Sequence, residues 1–254
     1  MLILRLFLIA LLSLSINSFA SDLAKEKRWA DQVVDAIMDG EAVWINDGKS
    51  DFLGIYTEAE ESKGRAVIVM HGTGVHPDWQ QVIQPLRVGL VEQNWNTLSI
   101  QMPILGNDAE HLEYAKLYDE IAPRIDAAIQ FLKKNGSNKI ALIAHSQGSL
   151  MSTYYLAQKK RDVMGFVAIG MSSYEEDSRM NSVQLMKKIK LPMLDVYGTN
   201  DLENVRNNID SRAAAAKAAG NKNFRQIELT GNHFFDEQEE TLVKTVANWL
   251  QQFD

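Results

Sequence analysis

Three side chains have the types and the chain order needed to build an activated nucleophile: Ser146, Asp201 and His233. A serine hydroxyl attacks poorly near neutral pH unless a base lies within hydrogen-bond reach. A histidine ring is such a base, and a carboxylate can hold the ring in the right tautomer and stabilise its cation. Ser146 stands in Ala144-His145-Ser146-Gln147-Gly148. Small residues two before and two after it allow a tight strand-to-helix turn that lifts the hydroxyl above a sheet. The plainer alternative is a serine capping a helix. His233 stands in Gly231-Asn232-His233-Phe234-Phe235, and Asp201 follows Gly198-Thr199-Asn200. Asp195 and, more weakly, Glu203 compete for the acid role. Asp195 falls inside an apolar run, where a carboxylate is costly unless paired; it is read as structural, bonded to the backbone of a neighbouring loop. An oxyanion formed on attack needs backbone donors. The N–H groups of Gln147 and Thr73 are the candidates, with His71, Gly72, Gly74, His145 and Gly148 shaping the turns around them.

These residues must be held by strands, and the pattern supplies them. Ala66 to Met70 is a continuous apolar run, as expected of a strand buried on both faces. Similar strands are expected at Asn96 to Met102, Lys139 to Ala144, Gly165 to Gly170, Leu191 to Tyr197 and Phe224 to Leu229. Helical spacing covers Leu23 to Met38, Trp79 to Gln93, Ile121 to Lys134, Leu150 to Lys159 and Glu239 to Phe253. Two short strands, Ala42 to Ile45 and Phe52 to Thr57, flank the turn Asn46-Asp47-Gly48 and read as an antiparallel hairpin. Alternating strands and helices imply an α/β fold with a mostly parallel sheet covered on both faces. In such sheets the sites lie beyond the carboxyl ends of the strands. His71, Ser146, Asp201 and His233 each fall just past such an end.

The chain has 254 residues, of which 46% are hydrophobic, enough for one sizeable core. One domain over 21–254 is expected. A net charge of −7 argues against nucleic acid or an anionic membrane as the main partner. There is no cysteine, which excludes disulfides, thiolate catalysis and Cys-ligated zinc. Asp108, Glu110 and His111 match no standard ligand set, so neither a metal nor a cofactor is expected. Residues 1–20 read as a signal peptide: Arg5 precedes a short apolar run, and Ser18 and Ala20 place small residues before a cut after Ala20. An uncleaved anchor helix is the alternative. Export, to a periplasm for choice, follows from the first reading.

The order Ser146, Asp201, His233 and its flanking residues resemble the α/β-hydrolase superfamily over nearly all of Phe52 to Phe253. The run from Ala66 to Trp79 (AVIVMHGTGVHPDW), Pro85-Leu86-Arg87, Asn94 to Ser99 and Gln101-Met102-Pro103 further resemble a bacterial family of exported α/β-hydrolase-like proteins of unknown function. The resemblance implies an α/β-hydrolase fold and a serine hydrolase acting on a small-molecule acyl substrate. Esterase, thioesterase and peptidase remain open, as does a non-catalytic binding module. The stretch from Met171 to Lys190 is too short for a large cap. An open site is expected, rimmed by Val75, His76, Trp79, Met102, Ile104 and Met171.

Overall fold

The computed structural model describes residues 20–253, so the expected signal segment lies almost wholly outside the described residues. Eight strands form one sheet: β1 (Glu41–Asn46), β2 (Asp51–Thr57), β3 (Arg65–Met70), β4 (Asn96–Ile100), β5 (Lys139–His145), β6 (Gly165–Ile169), β7 (Met193–Asn200) and β8 (Phe224–Asn232). Their order is β1-β2-β4-β3-β5-β6-β7-β8. The hairpin β1–β2 is antiparallel and β2 meets β4 antiparallel; every other pairing is parallel. This is the α/β-hydrolase fold that the sequence pattern leads to.

The apolar runs are continuous because side chains alternate across a strand and both faces of this sheet are covered. On β3, Ala66, Ile68 and Met70 join one core, while Val67 and Val69 join the other. The first core is closed by α3 (Tyr118–Lys134), α4 (Gln147–Gln158), α5 (Ser182–Met186) and α7 (Ile209–Ala218). The second is closed by α2 (Ile83–Gly89) and α8 (Glu239–Leu250). Each such aliphatic side chain contributes roughly 1.5–3 kcal/mol on burial. The N-terminal α1 (Leu23–Val34) lays Ala30 and Val33 on Leu53 and Ile55 of β2.

Several boundaries differ from expectation for local reasons. Helix α1 stops at Val34, and Met38 is 93% exposed. Helix α2 starts only at Ile83, because Val82 has a positive φ of 63° and breaks the preceding turn. Helix α4 starts at Gln147, directly after Ser146. Two helices without an apolar stripe escaped the periodicity: α6 (Glu203–Asn207) and alanine-rich α7. Strand β8 runs on to Asn232, so His233 is the first residue past its end. Between β6 and β7 the only helix among the described residues is α5, so the cap is minimal. No helix among the described residues is long and apolar enough to cross a membrane.

Candidate active site

Ser146 sits between β5 and α4 with φ 54° and ψ −121°, a conformation that non-glycine residues avoid. Holding it there costs on the order of 1–3 kcal/mol. The turn is forced by its surroundings. The Ser146 N–H donates to the Ile169 carbonyl at 2.8 Å, and the Ser149 hydroxyl donates to the Ala144 carbonyl at 2.6 Å. A Cβ on Gly148 would lie 2.5 Å from the His71 carbonyl oxygen, so only glycine lets α4 approach β3 this closely. The Ser146 side chain makes no cap bond to its helix and stays half-buried at the strand end.

His233 and Asp201 form the second half. Nδ1 of His233 donates to Asp201 Oδ1 at 2.6 Å. The same carboxylate accepts the Leu202 N–H at 2.8 Å and the Gly198 N–H at 3.1 Å. Burial pushes the Asp201 carboxyl up, but the His233 ring and the two amides outweigh it and hold its pKa below the usual range. The His233 ring lies against Gly170, where a Cβ would fall 2.7 Å from Cε1. His145, the neighbour of Ser146, sets its ring 4.7 Å from that of His233 and donates from Nε2 to the His233 carbonyl at 2.9 Å. Thus the base, its acid and the serine converge at the ends of β5, β7 and β8. Among the described residues no hydrogen bond joins Ser146 Oγ to His233 Nε2. That bond is often loose without substrate and tightens when substrate binds.

The loop after β3 is fixed by His71. Its Nε2 accepts the Met102 N–H at 2.9 Å, so its proton is on Nδ1 and bonds the Gly72 carbonyl at 2.9 Å. Burial lowers the pKa of both His71 and His145 to about 3, which keeps both rings neutral. Gly72 lies close to Ser146: a Cβ there would be 3.0 Å from the serine Cβ. Among the described residues, the N–H groups of Thr73 and Gln147 donate to nothing. Gln147 is the first residue of α4, where unpaired amides and the helix dipole favour negative charge. Gly74 is braced from outside, its carbonyl accepting Trp29 Nε1 from α1 at 3.2 Å.

The family profile described as "Protein of unknown function (DUF3530)" matches residues 21–116 and 106–252, nearly the whole described chain. The chain belongs to the DUF3530 family. No curated protein matches this DUF3530 member in sequence. Its fold is similar to that of Est1E from Butyrivibrio proteoclasticus, with a TM-score of 0.64 at 16% identity, covering 83% of this chain and 98% of that one. It is likewise similar to the esterase Pf2001 of Pyrococcus furiosus, with a TM-score of 0.63 at 16% identity over 84% and 91% of the two chains. A putative dienelactone hydrolase from Klebsiella pneumoniae gives a TM-score of 0.67 at 12% identity over 83% and 97%. At these identities the likeness is one of fold.

Not every expected site residue of the DUF3530 chain takes its expected place. Met102, Ile104 and Met171 are shut into the core rather than set on a rim. For Ile104 the cover comes from α1, whose Glu26 accepts its N–H at 3.3 Å. His76 and Trp79 pack on Trp29 of α1, with ring centroids 4.9 and 6.5 Å away, and line a cavity of about 640 Å³ with Gln32 and Val33. That lining includes no member of the Ser146–His233–Asp201 set. Asp195 is structural, but its partner is a side chain rather than a loop backbone: Arg212 Nε donates to it at 2.7 Å. Glu203 is exposed on α6 and accepts from Asn207. His111 stacks on Tyr174, with centroids 6.1 Å apart. Sequence reasoning missed Gly170 as the seat of the His233 ring. Its place directly after β6, another strand end, was the available signal.

Proposed function

We propose that this DUF3530 chain is an exported serine hydrolase that cleaves an ester or related acyl bond through an acyl–Ser146 intermediate. The observation that carries this reading is the strained Ser146 turn set beside a buried, hydrogen-bonded His233–Asp201 pair. A binding module has no use for a backbone held off its preferred conformation at a hydroxyl next to a poised imidazole.

In this mechanism Nε2 of His233 takes the Ser146 proton as Oγ attacks the substrate carbonyl carbon. Asp201 keeps the ring proton on Nδ1 and stabilises the imidazolium. The carbonyl electrons move to oxygen, and the oxyanion is received by the free N–H groups of Gln147 and Thr73. Collapse breaks the bond to the alcohol, which leaves with the proton from His233. Water repeats the sequence and releases the acid. His71 and His145 stay neutral throughout; one fixes the donor loop, the other the base.

The test is turnover of chromogenic acyl esters of increasing chain length, with thioesters and peptide amides alongside, by wild type and Ser146→Ala. Ester hydrolysis that is lost in the variant is the expected result. Equal rates for both proteins would exclude the acyl–Ser146 route, and no turnover of any class would favour a binding role for the fold.

A further inference from the structure

Residues Ala20 and Ser21, the first two described, end against a buried carboxylate. The N–H of Ala20 lies 2.7 Å from Glu120 Oε1, and that of Ser21 lies 3.3 Å from the same oxygen. Glu120 is on the first turn of α3 and only 8% exposed. Its Oε2 and the Ser21 hydroxyl are buried with no hydrogen-bond partner. Among the described residues no ion pair reaches Glu120. The cation one turn further on, Arg124, is already shared: Glu26 lies 2.8 Å from its Nη1 and Asp47 3.5 Å from its Nε. Three carboxylates therefore gather where one guanidinium is available, and a buried charge without a partner is costly.

We propose that cleavage after Ala20 creates an α-ammonium on Ser21 that forms an ion pair with Glu120, so that removal of the signal segment completes the native charge pairing. The cut hydrolyses the Ala20–Ser21 amide, with water supplying the new amine and carboxyl groups. An amide offers one donor, whereas an ammonium offers three and a full charge, enough to engage both Oε1 and Oε2. The small residues Ser18 and Ala20 put the cleavage pattern at this bond. Ser21 is buried in the folded chain, so the cut must precede folding. The pairing also reaches the proposed site. The Asp22 N–H donates to the Ile104 carbonyl at 2.8 Å, and Trp29 of the same helix holds the Gly74 carbonyl. None of this depends on the proposed hydrolase activity.

The test compares three chains: one starting at Ser21, one carrying a Gly-Ser-Gly-Ser extension ahead of Ala20 so that its amine lies away from Glu120, and one with Nα-acetyl-Ser21. The free Ser21 chain is expected to melt about 3–8 °C above the other two. In the Glu120→Gln background the three should melt together. Equal melting in the wild-type background, or an undiminished gap in Glu120→Gln, would overturn the proposal. If Glu120→Gln does not fold, pH provides the second readout. Glu120 faces the new amine, Asp22 follows it in sequence, and beyond Glu120 on the same helix stands Arg124, held by Glu26 of α1 and Asp47 of the β1–β2 turn. Pairing raises the folded amine above its ordinary value of about 7.7–8. The gap should then be full at pH 7 and vanish as pH rises through that raised value. A gap that persists unchanged to pH 11 contradicts the pairing. N-terminal sequencing of the exported protein should find Ser21 first; any other first residue also overturns the proposal.

Discussion

Strand β7 presents two buried carboxylates, and they do opposite things. Asp195, in the middle of the strand, faces a guanidinium: Arg212 Nε lies 2.7 Å from Oδ2, and both side chains are fully buried. Arg212 also donates from Nη1 to the Met171 and Val205 carbonyls, and Gln226 donates to the same carboxylate at 2.9 Å. The cluster ties β7, β8, α7 and the loop after β6 together through one planar guanidinium fork. Asp201, just past the end of β7, faces an imidazole instead, with backbone amides on both oxygens. A ring can take and release a proton where a guanidinium cannot. The difference lies in where each carboxylate sits. Mid-strand the carboxylate is sealed inside and needs a permanent cation; at the strand end it can serve a group that changes charge.

Four substitutions or conditions separate the two roles. The largest effect is expected from Asp201→Asn, which leaves the ring with the wrong tautomer and should lower kcat/KM for an ester substrate about 10⁴-fold. Its thermal melt should stay close to wild type. Arg212→Met should do the reverse, costing roughly 3–5 kcal/mol in urea unfolding by stranding Asp195, while the folded fraction keeps its turnover. Pairing it with Asp195→Leu should recover most of that loss. Next is Gly170→Ala, whose Cβ must push the His233 ring aside; kcat should fall about 100-fold, and the positive φ of 58° should cost about 1–2 kcal/mol in stability as well. A last test, read per pH unit rather than as a single loss, concerns His71 and His145. Both have folded values near 3, against about 6.5 in the unfolded chain. Between those values the unfolded chain binds more protons. Stability should therefore fall as pH drops from about 6.5 toward 3, by about 1.4 kcal/mol per pH unit for each ring. Replacing either ring with glutamine should lower the slope measured by urea unfolding by that ring's share, about 1.4 kcal/mol per pH unit.

The centre of the sheet could be read from the sequence because its strands are buried on both faces and so appear as unbroken apolar runs, as at Ala66 to Met70. The strand ends were legible from where the runs stop: His71 follows Met70 directly, Ser146 comes two residues after Ala144, and Asp201 and His233 each come four residues after their strands, at Tyr197 and Leu229. What escaped lacks such periodicity. Helix α7 is half alanine with no apolar stripe, so the helix carrying Arg212 was invisible, and Asp195 was left without its partner. Gly170 has no side chain to suggest a role, and its importance comes from a ring delivered by a loop 63 residues later. The misplaced rim has a similar cause. That Ile104 is covered depends on how α1 folds back beyond the end of β4, a long-range contact with no local signature.

The central claim is that Ser146 is a nucleophile activated by His233. Reaction with a fluorophosphonate probe, followed by mass spectrometry of the digested protein, tests it directly. The account predicts a single phosphonylated peptide bearing the adduct on Ser146, absent from Ser146→Ala and strongly slowed in His233→Ala. An unlabelled wild-type protein, or an adduct that persists in Ser146→Ala, would contradict it.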